Sequence, residues 1–336
     1  MIRAVRPRVI LGYDLGGTNA RATLCRTNQG FSTRIQLKEG TDRRGGLAVV
    51  DQMVRMAEAL KKQEGITAYD VVGVSFAGPF DSNRGVVLAA PNIDGFEGFE
   101  LTRTLQEKLG APAFGENDAN CGAVSAHGIV DAAGMDDFLW VTVSSGFGAG
   151  MYVNGQLVRG HSFRAGEIGH ESLYSDRSIG NFCGCGGKGH AENFAGVGLR
   201  MLFNNLNYSR ESSLGAYEGC LDMNTYDAKD ICEAASAGDA VCLEAVKTSA
   251  NEIAHTLANY VVLMDPEAIF VSGSLGQNSL YFRLLQEAFD ATPIAFRWDA
   301  KAKHDMLRLS TVEDPCLVGA LVLADEKLTA LEAQRA

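Results

Sequence analysis

Leu11-Gly-Tyr-Asp-Leu-Gly-Gly-Thr-Asn19 reads as the end of a strand running into a turn built to hold an anion. Two adjacent glycines, Gly16 and Gly17, let the backbone come close to a ligand and turn its N–H groups toward negative charge. Thr18 and Asn19 add side-chain donors. Asp14 cannot favour a bare phosphate, so it is expected to face a Mg2+ ion bridging phosphates. The Gly-Lys-Ser/Thr of a Walker A loop is missing. The plainer reading of the same residues is a tight hairpin turn.

Working outward, Val9 to Leu24 reads strand, glycine turn, strand. The same order returns over Phe138 to Leu157. Leu139 to Ser144 is apolar and β-branched, Ser145-Gly-Phe-Gly-Ala-Gly150 supplies the turn, and Asn154-Gly155 is a strong hairpin signal. Ser145 and Gly146 are the phosphate-side candidates here. Between and beyond these units, periodicity predicts helices over Gly46 to Lys62, Leu101 to Leu109, Ala119 to Val130, Ala191 to Leu206 and Asp239 to Met264. Ala268 to Ser272 reads as a buried strand, and Asp314-Pro315 opens a last helix, Cys316 to Gln334. Strands alternating with helices give an α/β class. The repeated hairpin-and-turn unit predicts two related domains facing each other across a cleft, able to hold a triphosphate from both sides.

At 336 residues the chain is long enough for two domains. A net charge of −11 argues against nucleic acid or an anionic membrane as the main partner. No apolar run reaches spanning length. The basic stretch Met1 to Arg8 leads straight into a strand and lacks the features of a signal peptide. The expected location is the cytoplasm, where disulfides are rare. Cys25, Cys121, Cys220, Cys232, Cys242 and Cys316 accordingly read as buried thiols.

Cys183 and Cys185 differ, because no apolar context surrounds them. With His170 and His190 they supply the four Cys/His ligands that a structural zinc site requires. The glycines of Cys183-Gly-Cys-Gly-Gly-Lys-Gly-His190 allow the sharp turns needed to converge. Four protein ligands leave no open position, so the site reads as structural. Glu167 and Glu192 bracket this loop; they are either solvated surface carboxylates, with Glu192 at a helix start, or acceptors for paired sugar hydroxyls. Asp81, Asn83, Asn92 and Asp94 lie in a polar stretch that either lines the same cleft or is a solvated loop. In Gly115-Glu-Asn-Asp-Ala-Asn120, a strand is expected to end and a helix to begin. Asn117 and Asp118 are therefore either helix caps or, for Asp118, a general base. Phe270-Val-Ser-Gly-Ser-Leu-Gly276 places Gly273 either in an ordinary strand-to-helix turn or where a base or ribose could lie against flat backbone.

Taken together, these motifs resemble the ROK family of sugar kinases and repressors, within the actin-like ATPase and hexokinase superfamily. The resemblance covers nearly the whole chain and rests on ordered motifs: Asp14-x-Gly-Gly-Thr, Glu116-Asn-Asp-Ala-Asn, the second glycine turn, Gly166-Glu-x-Gly-His, and Cys-x-Cys-Gly-x-x-Gly with Glu192 beyond. It implies two actin-like domains, ATP and Mg2+ as reactants, and phosphorylation of a hexose hydroxyl, usually O6. It makes Asp118 the base and places Asn117, Glu167, His170, Glu192 and the turn containing Gly78 on the sugar. His170 would bind zinc by one ring nitrogen and sugar by the other. A smaller domain is expected over 1–118 plus about 314–336, and a larger zinc-bearing one over 119–313.

Three departures from the family pattern stand out. His190 replaces a cysteine, Ala77 replaces a frequent proline, and Ser145 replaces a threonine. Two thiolates and two imidazoles still neutralise Zn2+, so the site is expected to survive. The repressors of the family carry a helix-turn-helix before the first phosphate motif, and only a short basic stretch precedes it here. Glucose is the leading acceptor, with N-acetylmannosamine, N-acetylglucosamine, fructose and allose as alternatives. A catalytically silent sugar sensor and a polymerising ATPase are the competing classes, and the intact motifs disfavour both. The family also implies a homodimer.

Overall fold

The computed structural model describes residues 6–31, 35–90, 93–174, 181, 183, 185–207, 212–214, 226–294 and 299–335. Asn92 and Cys220, singled out above, lie outside them. The chain forms two compact units, Met1–Gly134 with Leu157–Ala165 and Thr311–Ala336, and Met135–Gln156 with Gly166–Ser310.

In the first unit β1 (Val9–Leu15) and β2 (Asn19–Arg26) form an antiparallel hairpin whose register closes at Leu15 and Ala20. β3 (Gln36–Gly40) lies outside β2, and β4 (Val71–Phe76) pairs parallel with β1. The short hairpin of β5 (Phe80–Asp81) and β6 (Val86–Val87) precedes β7 (Ala113–Asn117), which pairs parallel with β4. The sheet order is β3-β2-β1-β4-β7. In the second unit the strands are β8 (Phe138–Val143), β9 (Phe147–Val153), β10 (Gln156–Leu157), β11 (Ala268–Ser272) and β12 (Leu307–Leu309). Their order is β10-β9-β8-β11-β12, with β8 antiparallel to β9 and parallel to β11. One topology is thus used twice, as the repeated turn motif predicts. Every residue of β4 and of β11 is buried, as central parallel strands require.

Local chemistry accounts for the well-predicted elements. The helix Gly46–Glu64 buries Val49, Val50, Met53, Met56, Ala57 and Leu60, and ends at a left-handed Gly65 whose N–H reaches the Lys61 carbonyl. Asn154 and Gly155 adopt φ of 50° and 69°, the paired positive values that an Asn-Gly hairpin turn needs. The segment Ala191 to Leu206 departs from the expected single helix. It is a 3₁₀ turn, Ala191–Phe194, and then a helix, Gly196–Asn207. The break arises because the N–H groups of Gly196 and Val197 are given to the Ser144 and Ser145 carbonyls, at 2.7 and 3.1 Å. The strand β3 and the helices Ala228–Ser236, Ser279–Ala291 and Ala300–Met306 were not anticipated.

The first unit extends past the expected limit at 118 because the small-residue helix Asp118–Gly128 packs on the C-terminal helix Pro315–Ala333. A Cβ on Gly319 would strike the Cys121 carbonyl, and one on Gly73 would strike that of Ala320. These helices touch backbone to backbone. Gly319→Ala is therefore expected to destabilise the protein by about 1–3 kcal/mol in denaturant unfolding. Unchanged stability would mean that the two helices separate freely.

Candidate active site

The first glycine turn is held from one side by two side-chain hydrogen bonds to its carbonyls. Thr41 Oγ1 donates to the Gly16 carbonyl at 2.6 Å, and Arg43 Nε to the Gly17 carbonyl at 2.9 Å. A trans peptide points its C=O and N–H in opposite directions. The N–H groups of Gly17 and Thr18 therefore face away from the 41–43 loop. Thr18 and Asn19 are exposed at this tip. Behind it, Asp14 is tightly held. Arg21 reaches its Oδ2 through Nε at 3.0 Å and Nη2 at 2.6 Å, and Ser75 Oγ donates to Oδ1 at 3.0 Å. Arg21 also donates to Asp314 Oδ1 at 2.5 Å, and Gln36 to Asp314 Oδ2 at 2.6 Å. The carboxylates beside Arg21 raise its pKa above the usual range against the cost of burial. Arg21, Ser75, Thr41 and Arg43 carried no signal in the sequence, and Asp314 only that of a helix start.

Asn117 and Asp118 sit at the junction of β7 and the helix Asp118–Gly128. Asn117 is the helix cap, its Oδ1 accepting from Asn120 N at 3.1 Å. Its amide nitrogen donates to the Gly78 carbonyl at 3.1 Å and to Asp118 Oδ1 at 3.0 Å. Asp118 Oδ1 also accepts from Ala119 N at 2.9 Å. The capping reading thus holds for Asn117, and Gly78 joins the same turn through its carbonyl.

In the second unit the turn after β8 repeats the construction of the first. The carbonyls of Ser144 and Ser145 are drawn back by Gly196 and Val197, so the N–H groups of Ser145 and Gly146 face the other way. Gly273, at φ 87°, lies so close to the Val143 carbonyl that no side chain fits there. Within the second unit, the Ser144-Ser145 turn and the Ser274-Leu275 turn after β11 line a cavity of about 350 Å3, with Arg200, Asp227 and Lys229 among the other residues. That is the size of a small-molecule pocket. Arg200, Asp227 and Lys229 come from helical segments without a recognisable motif.

His170, Cys183, Cys185 and His190 converge, with one ligand atom from each lying within 4.8 Å of the others. Cys183 Sγ is 3.3 Å from His170 Nδ1, and Cys185 Sγ is 3.4 Å from His190 Nδ1. A tetrahedral zinc with Zn–S of about 2.3 Å and Zn–N of about 2.0 Å sets ligand atoms about 3.3–3.8 Å apart, so this donor set fits. Burial pushes the Cys183 thiol up to about 12, with the Glu192 carboxylate adding to the effect. A metal ion must displace that proton. With Nδ1 turned toward Cys183, His170 presents Nε2 to Glu167 Oε2 at 3.7 Å. Glu192 accepts from Cys183 Sγ at 3.4 Å through Oε1. Its Oε2 lies 2.8 Å from where a Cβ on Gly146 would stand. Gly146→Ala is thus expected to push the Glu192 carboxylate aside. In the activity proposed below it should raise the acceptor KM about 10-fold or more. An unchanged KM would separate Glu192 from acceptor binding.

The description "ROK family" matches residues 10–327 of this chain. The chain belongs to the ROK family. Among its relatives, the glucokinase of Thermotoga maritima is 25% identical over 321 residues, 95% of this chain and 98% of that protein. The beta-glucoside kinase of Klebsiella pneumoniae is 28% identical over 279 residues, 83% of this chain and 86% of that one. A ROK family glucokinase from Streptomyces griseus, solved with glucose and AMPPNP, superposes with a TM-score of 0.77 at 26% identity, covering 95% and 99% of the two chains. This ROK protein is built of two actin-like domains, in agreement with its doubled sheet order.

Proposed function

We propose that this ROK protein transfers the γ-phosphoryl group of ATP to a hexose hydroxyl, with O6 of glucose as the leading acceptor. Support comes first from Glu192. Its carboxylate lies against Gly146, so an acceptor for sugar hydroxyls adjoins the N–H groups of the second glycine turn. Glu167 and the Nε2 of His170 would hold further hydroxyls, and Asn117 and Gly78 would border the sugar through the turn they build. Asp118 would take the hydroxyl proton as the O6–phosphorus bond forms and the bond to the bridging oxygen of ADP breaks. Gly16, Gly17, Thr18, Asn19, Ser145 and Gly146 would bind phosphates through backbone N–H groups and hydroxyls. The cavity that includes Ser274, next to Gly273, would take the nucleoside.

Mg2+ would neutralise phosphate charge. Asp14 would hold it, and Arg21 and Ser75 already fix that carboxylate. A structural Zn2+ would be held by His170, Cys183, Cys185 and His190. It would orient His170 and tie together the loop that carries Glu192. Among the described residues no helix is long and apolar enough to cross a membrane. The same reading places the enzyme in the cytoplasm as a homodimer with no nucleic-acid partner. The acidic balance supports the last point, and sedimentation tests the dimer.

The test is ADP release with Mg·ATP across a panel of hexoses and N-acetylhexosamines. Turnover on glucose is expected. Turnover only on N-acetylmannosamine, N-acetylglucosamine, fructose or a β-glucoside would reassign the acceptor. Silence across the panel, in protein that binds ATP, would overturn the kinase reading in favour of a sugar sensor.

A further inference from the structure

Glu116 is an unusual residue to find at the end of β7, because its side chain is only 1% exposed. Burying a carboxylate costs several kcal/mol unless it is paired and its lone pairs are satisfied. Here both conditions are met. Arg159 Nε donates to Glu116 Oε2 at 2.6 Å. Asn117 N and Asn120 Nδ2 both donate to Oε1 at 3.0 Å. Asn117 and Asn120 flank Asp118, and the Asn117 side chain in turn donates to Asp118 Oδ1. Arg159 reaches this point from the segment Leu157–Ala165, remote in sequence but part of the same unit.

From this network we infer that Glu116 and Arg159 are a positioning pair for Asp118. Arg159 fixes the Glu116 carboxylate. Glu116 fixes the backbone before Asp118 and the amide after it. Asn117 then sets the rotation of the Asp118 carboxylate. A base must lie within hydrogen-bond reach of the proton it takes, and small displacements of a reacting group cost up to about 10²-fold in rate. This inference rests on Asp118 being the base, and Glu116 itself touches no reacting atom.

The experiment is Glu116→Gln in the full chain, with kcat, hexose KM, hexose affinity by calorimetry and Tm measured together. Glutamine keeps the shape and one acceptor oxygen but turns an N–H group toward Arg159. We expect kcat to fall about 10-fold or more while hexose affinity stays within about 3-fold. Arg159→Lys should retain more kcat than Arg159→Met. Adding Arg159→Met to Glu116→Gln should lower kcat less than the two losses multiplied, because the pair acts as a unit. A folded Glu116→Gln enzyme with normal kcat would overturn the inference. If Glu116→Gln does not fold, equal kcat in Arg159→Lys and Arg159→Met overturns it equally. Asp118→Asn is the control. Normal turnover there defeats the base assignment, whereas a dead Asp118→Asn beside a normal Glu116→Gln defeats only the positioning pair.

Discussion

Asp118→Asn is expected to leave hexose affinity within a few-fold and to lower turnover by about 10² or more. The substitution is close to isosteric. An asparagine oxygen can still accept from Asn117 Nδ2 and Ala119 N, the bonds that Asp118 Oδ1 makes at 3.0 and 2.9 Å. The helix start and its Asn117 cap should therefore persist, and Tm should move little. What is lost is the ability to take a proton from the attacking hydroxyl. Steady-state kinetics alongside hexose calorimetry distinguishes this from a binding defect. Near-normal turnover would refute the base assignment whatever the fate of binding.

The second large effect is expected at the metal loop. Protein purified without chelator should contain about one zinc per chain, and Cys185→Ser should lose it. Cys185 is the exposed thiol of the four ligands, so the substitution disturbs little packing of its own. Cys183 is buried beside Glu192 and would confound the two effects. Without the ion, only the weak Sγ···Nδ1 contacts of His170 with Cys183 and of His190 with residue 185 would hold the loop, and the carriage of Glu167 and Glu192 loosens. The hexose KM should rise about 10-fold or more, with a smaller change in ATP affinity. A wild-type protein without zinc, or a Cys185→Ser enzyme that keeps both its metal and its KM, would remove the structural role assigned to this loop.

These two effects were legible before any fold was known, for a physical reason. A glycine that must adopt positive φ, an Asn-Gly hairpin, a Pro at a helix start and four Cys/His ligands within a short segment are local constraints. Their chemistry is written in neighbouring residues. That suffices for β1 and its turn, for β8 and its turn, for Gly110 as a helix end, and for which four Cys/His side chains come together. The misses are of two kinds. The strand Gln36–Gly40 is half-exposed at a sheet edge and has no strong period. The expected helix from Ala191 to Leu206 broke because a distant turn, Ser144-Ser145, captured its N–H groups.

The charged network shows the same limit more sharply. Arg21 lies opposite Asp14 in the β1–β2 register, and an arginine on a strand reads alike whether solvated or paired. Ser75 reaches Asp14 from β4, and Arg159 reaches Glu116 from a segment across the chain. Asn117 presented two chemistries that the sequence could not rank. Folding spends its amide on Gly78 and Asp118 and its oxygen on the helix cap.

The sequence alone therefore determined the α/β class, the doubled hairpin-and-turn plan, the family, the candidate base and the four candidate metal ligands, because each follows from the conformational limits or donor atoms of adjacent residues. Only the tertiary structure decided which carbonyls are pulled back to bare the N–H groups of each turn, which cation holds Asp14, what buries Glu116, and that Glu192 lies against Gly146. Those facts are pairings between residues far apart in the chain, and packing alone brings such groups within hydrogen-bond reach.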